Sequence, residues 1–131
     1  MPPSGPFALD KSERITGRKM VDALFSGGES RSMSYYPVRA VFRLMPFSGA
    51  RVRILVSVPK RFLHHAVDRN RVKRQLRESY RLHKEILLAG MSGNAGSTLV
   101  VAFIWQGHKV EPSEGVSRRV VTLMTRISEK I

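Results

Sequence analysis

The apolar run from Leu99 to Trp105 is the feature that most constrains how this chain can fold. Apolar and polar residues do not alternate within it, so it predicts a strand that is covered on both faces of its sheet. A helical pattern and then a loop rich in glycine and serine, from Gly90 to Ser97, precede the run. A buried strand that follows a helix indicates parallel pairing with an earlier strand through a βαβ crossover.

Two earlier segments alternate between apolar and polar residues with period two and predict a hairpin. Alternate residues from Tyr36 to Leu44 and from Val52 to Val58 point to one side, and the turn lies over Pro46 to Ala50. One side of this hairpin is therefore predicted to be core. Four arginines point to the other side: Arg39, Arg43, Arg51 and Arg53. They either form a partly solvated cationic surface or protect a strand edge from aggregation.

Apolar residues at helical spacing predict three helices. The first begins near Thr16 and ends at Gly27-Gly28, and its apolar residues are Met20, Val21, Leu24 and Phe25. The second covers residues 66–88, and its apolar stripe consists of Val72, Leu76, Tyr80 and Leu87. The third follows Pro112, and its apolar residues are Val116, Val120, Leu123, Met124, Ile127 and Ile131. Together with the strands, these helices predict an α+β fold.

The length and composition of the chain predict one domain. Its 131 residues accommodate a single hydrophobic core, and 42% of them are hydrophobic, as in ordinary globular proteins. Residues 1–12 contain three prolines and a glycine and predict a flexible arm, which leaves residues 13–131 as the domain. The absence of cysteine excludes disulfides, thiolate zinc sites and a cysteine nucleophile.

The net charge of +13 indicates a polyanionic partner, because such a field repels itself unless a partner neutralises it. A solvated basic surface is one alternative, although anionic surfaces serve solubility better. An anionic membrane is another, but the longest apolar run, of seven residues, falls far short of the ~20 that a spanning helix needs. The N-terminal residues lack the apolar stretch of a secretory signal, which predicts a cytoplasmic protein with no membrane partner.

The positive charge is concentrated between Arg51 and Lys84, where eleven lysines and arginines face two acids and supply +9 of the total. Within this stretch the second helix carries two rows of basic and polar residues. One row consists of Asn70, Arg74, Arg77 and Arg81, and the adjoining row of Arg69, Lys73 and Arg77. Neighbours in a row lie about one helical turn apart, a density that suits the successive phosphates of a nucleic acid.

Arginine outnumbers lysine in these rows, which favours phosphate as the ligand because a guanidinium group grips phosphate with two parallel hydrogen bonds. A solvated helix face is the alternative, but such faces usually interleave Glu with Lys, and here only Glu78 intervenes. Asn70 either bonds a base edge, a ribose hydroxyl or the nucleic-acid backbone, or makes a capping contact within the helix. The rows therefore predict a helix that binds nucleic acid.

The run from Val67 to Glu78 closely resembles the signature of the bacterial ribonuclease P protein component, in which an Arg-Asn pair is followed at fixed spacing by Lys-Arg and then Arg-Glu. The matching positions are Arg69, Asn70, Lys73, Arg74, Arg77 and Glu78. The preceding residues 56–61 and 66–67 are similar to the strand and linker that lead into that helix. The linker segment from Phe62 to His65 is longer than in many members of the family.

The resemblance implies a small two-layer α+β sandwich with a sheet of roughly four strands and a left-handed βαβ crossover that displays the arginine-rich helix. It implies that the helix and its flank bind the catalytic RNA of ribonuclease P, through Lys60, Arg61, Arg69, Asn70, Arg71, Lys73, Arg74 and Arg77. It further implies a cleft for the single-stranded 5′ leader of precursor tRNA, for which the candidates are Phe25, Tyr36, Arg39 and Ser57. Phe25 either stacks on an unpaired base there or belongs to the core.

No pattern predicts catalysis by the protein itself, since no paired carboxylates, metal cluster or nucleophile with its base is assembled. His64, His65 and Asp68 lack the spacing of a metalloprotease motif. The resemblance implies that the RNA subunit carries the chemistry with bound Mg²⁺, and that the protein provides neither a catalytic nor a metal site. The remaining alternatives are a structural protein that binds ribosomal RNA and a regulator that reads DNA with the arginine-rich helix.

Overall fold

The computed structural model describes residues 18–26 and 28–131. The predicted arm over residues 1–12, the helix start at Thr16 and Gly27 lie outside the described residues. The helices and strands follow in the order α1 (Arg18–Ser26), β1 (Arg31–Tyr35), β2 (Val38–Pro46), β3 (Val52–Ser57), α2 (Ala66–His83), α3 (Glu85–Gly90), β4 (Ser97–Trp105) and α4 (Ser113–Lys130). The strands form one mixed sheet in the order β1-β2-β4-β3, which confirms the α+β fold class.

The apolar run lies in β4, which the sheet places between β2 and β3. Leu99, Val101 and Phe103 belong to the main core, whereas Val100 and Ala102 belong to a second cluster on the other face of the sheet. All five side chains are fully buried. The prediction of a strand covered on both faces is therefore confirmed.

Helices α2, α3 and α4 cover one face of the sheet, named here the helical face. The predicted stripe on α2 and α3 is confirmed, since none of its four residues is exposed: Val72, Leu76, Tyr80 and Leu87. The residues predicted to be apolar on α4 are fully buried in the same core, and Ile131, which follows the helix, is partly buried. The helix predicted over residues 66–88 is divided at Lys84 into α2 and α3.

Helix α1 covers the opposite face of the sheet, named here the α1 face. Its Leu24 is fully buried in one cluster with Val41, Val100 and Ala102. The centre of this face is therefore a second apolar layer, which corrects the prediction of a cationic surface there. The reason is that apolar residues alternate with the arginines along β2. Strand β4 adds its own apolar side chains to this face, and a covering helix removes the resulting apolar patch from water. Phe25 is 48% exposed, in contrast to its predicted apolar neighbours on α1.

The predicted hairpin between the two alternating segments is wrong. β2 pairs with β1 and with β4, antiparallel in both cases, and β3 pairs with β4 in parallel. Alternation shows which side of a strand is buried but does not identify the neighbouring strand. Because β4 is apolar on both faces, its insertion between β2 and β3 buries more apolar surface than direct pairing of β2 with β3. β1 is absent from the sequence predictions because its five residues include only one aliphatic side chain, Met33.

The parallel pair of β3 and β4, joined through α2 and α3, confirms the predicted βαβ crossover. Its left-handedness stays a prediction. The crossover carries α2 from the end of β3 across the helical face, where the buried stripe of α2 faces the sheet. The other side of α2 consequently points away from the protein.

Candidate nucleic-acid interface

Helix α2 presents a basic surface to solvent because burial of its apolar stripe fixes the rotation of the helix about its axis. Val72, Leu76 and Tyr80 have no exposed surface. The residues on the far side are exposed, and they are named here the basic face: Asn70, Arg71, Arg74 and Arg77. The structure therefore brings four of the six predicted RNA-binding residues of the helix together on one surface.

Two arginines of the basic face lack partners within the described part of the chain. Neither the side chain of Arg71 nor that of Arg74 makes a hydrogen bond or ion pair with residues 18–26 or 28–131. Each guanidinium group keeps its five N–H donors for water or for a ligand. In water such groups attract a polyanion, and phosphate oxygens match their planar donor geometry.

The C-terminal end of the predicted row is neutralised by an internal ion pair. Arg81 donates from Nε to Glu78 Oε1 over 2.9 Å and from Nη2 to Glu78 Oε2 over 2.8 Å. The hydrogen bonds from Arg81, and secondarily its charge, lower the pKa of the Glu78 carboxyl and the carboxylate raises the pKa of Arg81. Glu78 therefore stays ionised at neutral pH and offsets one positive charge of the helix.

Arg69, at the other end of the helix, is bound to the linker that precedes α2. Its Nη1 donates to the carbonyl oxygen of Leu63 over 3.0 Å and to that of His64 over 2.7 Å. The side chain is half-buried, in contrast to Arg71 and Arg74. Arg69 therefore holds the linker against the first turn of α2, and only its remaining N–H groups are available to RNA. Lys73 is likewise half-buried, at the edge between the basic face and the core.

The linker also carries the two predicted RNA-binding residues that precede α2, Lys60 and Arg61, and both are exposed. The Arg61 guanidinium carbon lies 4.9 Å from the centre of the Phe62 ring. That ring meets the His108 ring edge-on, with 5.3 Å between their centres. These contacts fix the linker against the loop between β4 and α4, so Arg61 is held in place beside the helix that it precedes.

A groove between α2 and the beginning of α4 adjoins the basic face and contains residues that the sequence patterns do not single out. It has a volume of about 430 Å³, and its lining includes Arg71, Arg74, Gln75, Glu78, Ser113 and Ser117. Gln75 donates from Nε2 to the carbonyl oxygen of Glu111 over 2.9 Å and to Ser113 Oγ over 3.0 Å. The signal in the sequence is the polar pair Gln75 and Ser79, which interrupts the core side of the helix at a spacing of four residues.

The residues proposed for the leader cleft are only partly brought together. Arg39 and Ser57 both lie in register with Ile104, so they flank it on either side across the α1 face. Both are half-buried. Tyr36 is 66% exposed in the turn between β1 and β2, and Phe25 is 48% exposed on α1. The α1 face thus has a polar row at Arg39 and Ser57, with the two aromatic rings on separate elements.

In residues 18–26 and 28–131, no group of three or more His, Cys, Asp or Glu side chains is arranged to hold a metal ion. None of the described helices combines the length and the apolar character that crossing a membrane requires.

Solved structures share this fold. The chain superposes on the RNase P protein of Staphylococcus aureus with a TM-score of 0.62 and 19% sequence identity, covering 91% of this chain and 97% of the other. It superposes on the RNase P protein of Thermotoga maritima with a TM-score of 0.63 and 22% identity, covering 87% of this chain and 96% of the other. At these identities the similarity establishes the fold, including the four-stranded sheet and its helices.

Sequence relatives carry the name ribonuclease P protein component. The relative from Porphyromonas gingivalis is 45% identical over 82 residues, which are 62% of this chain and 58% of that protein, so this chain spans less than two thirds of its length. The relative from Chlorobaculum tepidum is 34% identical over 111 residues, 76% of this chain and 68% of that protein. The relative from Chlorobium phaeobacteroides is 32% identical over 133 aligned positions, 93% of this chain and 90% of that protein.

The family model named Ribonuclease P matches residues 9–128, which include the whole of the sheet, the basic face and the groove. The match and the relatives agree with the Arg-Asn signature on α2. On these grounds the chain belongs to the Ribonuclease P protein family.

Proposed function

We propose that this chain is the protein subunit of ribonuclease P. In this role it binds the catalytic RNA and the 5′ leader of precursor tRNA and promotes endonucleolytic removal of the leader. The observation that carries the proposal is the basic face of α2, where Arg71 and Arg74 keep their donors free of partners within the described residues. Because the chain belongs to the Ribonuclease P family, the RNA that such a face would bind is the RNA of ribonuclease P.

The contribution of the basic face is electrostatic. Two RNA molecules repel each other, and a row of guanidinium groups along α2 neutralises phosphates so that they can approach. The RNA-subunit contacts that we propose lie on the helix and its linker: Lys60, Arg61, Arg69, Asn70, Arg71, Lys73, Arg74 and Arg77. Arg69 has a double role, since it also bonds the linker carbonyls.

The leader is held, in this proposal, along the α1 face by Arg39 and Ser57. Their positions on either side of Ile104 offer a guanidinium group for a phosphate and a hydroxyl for a ribose or a base, about 10 Å apart across two strand spacings. Phe25 and Tyr36 expose rings on which unpaired bases can stack, each stacking contact being worth about 1 to 3 kcal/mol.

We further propose that the RNA subunit holds the Mg²⁺ ions and carries out the hydrolysis, with the protein as a non-catalytic subunit. Mg²⁺ is bound by carboxylates, phosphates and water. The basic face offers guanidinium groups, which repel the ion, and its neighbour Glu78 is paired with Arg81. RNA phosphates therefore supply the ligands, and the protein acts by binding and orientation. The cytoplasm, where tRNA matures in bacteria, is the proposed location.

Reconstitution tests the proposal. The protein is mixed with the ribonuclease P RNA of its organism at low millimolar Mg²⁺, and release of the 5′ leader from precursor tRNA is followed. Wild type should stimulate cleavage, and the double variant Arg71→Ala/Arg74→Ala should do so poorly. The matched control is Arg51→Ala/Arg126→Ala, which removes the same charge from two exposed arginines elsewhere, one just before β3 and one on α4.

The control variant should stimulate cleavage like wild type. If wild type binds RNA tightly but leaves leader release unchanged, the proposed function is contradicted and binding to ribosomal RNA takes its place. If duplex DNA competes as well as structured RNA in a band-shift assay, the DNA-binding alternative is supported instead.

A further inference from the structure

The groove between α2 and α4 has the size of a small-ligand site. Its volume of about 430 Å³ lies within the ~300–1,000 Å³ typical of such sites. Arg71 and Arg74 line it from the basic face, and Ser117 lines it from α4. Leu82, which is 44% exposed, adds an apolar surface. The groove therefore combines two cations, hydroxyl groups and an apolar wall.

Gln75 supplies the observation that points to a ligand. Its side chain is among the buried polar groups, at 7% exposure, and it lines the groove. Nε2 donates to Glu111 O and to Ser113 Oγ, but Oε1 is buried and has no hydrogen-bond partner. Buried polar atoms in folded proteins almost always have a partner. Oε1 is therefore an unused acceptor on a residue that lines the groove, and a group bound in the groove can supply its donor.

The first turn of α4 supplies further N–H donors beside Gln75. The residue before the helix, Pro112, makes no side-chain capping bond. The amide of Val116 bonds the Pro112 carbonyl, so the amides of the three preceding residues, Ser113 to Gly115, have no acceptor within the helix. The positive end of the helix dipole and these amides favour an anion. Glu78 also lines the groove, but its charge is offset by Arg81.

We infer that the groove binds one unpaired nucleotide of an RNA chain. The phosphate lies between Arg71, Arg74 and the first turn of α4, and the ribose 2′-hydroxyl donates to Gln75 Oε1. A 2′-hydroxyl is the donor that RNA has and DNA lacks, so this contact discriminates between the two. The inference rests on the proposed function for the identity of the partner as RNA, and it adds a ribose-reading site next to the basic face.

The nucleotide can come from the catalytic RNA or from precursor tRNA. Both supply the same phosphate and ribose chemistry. The free protein is therefore tested first with a short probe, and the two natural RNAs are compared afterwards.

The first experiment is an NMR titration of the ¹⁵N-labelled protein with oligouridylate of five nucleotides and with its 2′-deoxy counterpart. The ribo-oligonucleotide should shift the side-chain amide of Gln75 and the backbone amides of Ser113 to Gly115. It should bind roughly fivefold more tightly than the deoxy form, the effect of one hydrogen bond. Equal affinities, or shifts confined to the basic face, would overturn the inference.

Two variants test the groove itself. Ser117→Phe fills it without removing a charge, and Ser92→Phe places the same ring on an exposed residue near the opposite end of α4. Gln75→Met removes the acceptor and keeps an unbranched chain of similar length. Ser117→Phe should abolish the shifts, Gln75→Met should abolish the preference for ribose, and Ser92→Phe should change neither. Thermal unfolding of each variant establishes that it is folded.

The last arm measures the affinity of wild type and Ser117→Phe for the catalytic RNA and for precursor tRNA separately. The RNA whose binding weakens supplies the nucleotide, and unchanged affinity for both would overturn the inference. A wild-type protein that shows the ribose-dependent shifts but does not stimulate leader release would contradict the proposed function alone. If wild type and Ser117→Phe stimulate leader release equally, and the protein shows no preference for ribose, the inference about the groove alone would be contradicted.

Discussion

Arg43 on the sheet donates to groups of the protein, whereas Arg74 on α2 donates to none among the described residues. Arg43 Nη2 lies 2.7 Å from Glu29 Oε2, and its Nη1 lies 3.1 Å from the carbonyl oxygen of Ala23 on α1. Arg53, on the same face of the sheet, donates from Nε to Ser48 Oγ over 3.2 Å and from Nη2 to the Ser48 carbonyl.

The two groups of arginines therefore contribute to different free energies. Those of the sheet fasten α1 and the turn before β3 to the α1 face, so their loss should lower the stability of the fold. The side chains of Arg71 and Arg74 on the basic face make no bond within the described residues, so their loss should lower affinity for RNA. Arg69 lies between the groups, since it bonds two linker carbonyls and also adjoins the basic face.

The largest effect is expected for Arg71→Ala/Arg74→Ala on RNA binding. Loss of two charge-assisted contacts, at about 1.5 kcal/mol each, should weaken binding to the catalytic RNA roughly 100-fold. The slope of log K against log salt should become shallower by about 1.4 to 1.8, because two fewer phosphates are neutralised. Filter binding across a salt series measures both quantities.

The free energy of unfolding of this double variant should stay within about 0.5 kcal/mol of wild type, as for surface substitutions in general. A clear loss of stability would show that these arginines do hold the fold, and the distinction between the two groups would fail.

The second effect is the loss of stability in Arg43→Ala. The substitution removes an exposed ion pair with Glu29 and a partly buried hydrogen bond to the Ala23 carbonyl. It should lower the free energy of unfolding by about 1.5 kcal/mol and the melting temperature by roughly 5 °C. Urea denaturation followed by circular dichroism measures it. Arg51→Ala, at an exposed residue just before β3, is the control and should be close to neutral.

The third prediction concerns Arg69, whose removal should affect both properties. Arg69→Ala should lower the free energy of unfolding by about 1 kcal/mol, because two linker carbonyls lose their donor. It should also weaken RNA binding, whereas Arg74→Ala should weaken RNA binding alone. Paired urea titrations and filter binding compare the two variants. Identical stability of Arg69→Ala and Arg74→Ala would show that the linker contact contributes nothing.

The smallest effect is expected for Glu78→Gln, which breaks the exposed pair with Arg81. Because the folded protein lowers the pKa of Glu78, the pair stabilises the fold above the carboxyl's unfolded pKa and loses its effect as pH falls through the lower, folded pKa. Wild type and variant should therefore differ slightly at pH 7 and converge in acid. Exposed pairs contribute little, so the difference lies near the limit of urea titration.

Removal of this negative charge should also raise the affinity for RNA slightly at low salt and not at high salt. A rise that persists at high salt would indicate a contact between residue 78 and RNA rather than a change in the field of the helix.

Local patterns in the sequence predict the parts of this fold whose burial is strongly periodic. The stripe of α2, the closing helix α4 and the doubly covered strand β4 can all be predicted from the spacing of apolar residues. That spacing shows which sides of a helix or strand are buried on folding. The βαβ crossover follows as well, since a buried strand after a helix has few other places to pair. β1 shows no such spacing, because an edge strand of mostly polar residues buries little apolar surface.

The partner of each strand is not encoded locally. The hairpin predicted between the segments of β2 and β3 fails because β4, which begins forty residues after the end of β3, separates them. The groove is missed for the same reason, since Gln75 and Ser117 come from elements that meet only when α2 packs on α4.

The sequence by itself determined that one helix carries a dense positive charge, that its signature places the chain among ribonuclease P proteins, and that the side of the helix opposite the basic face is apolar. These are properties of residue spacing along a single element. Only the tertiary structure decided which arginines remain available to RNA. That choice depends on whether a carboxylate or carbonyl oxygen from a distant segment lies within hydrogen-bonding distance, as Glu29 does for Arg43 and as no described residue does for Arg74.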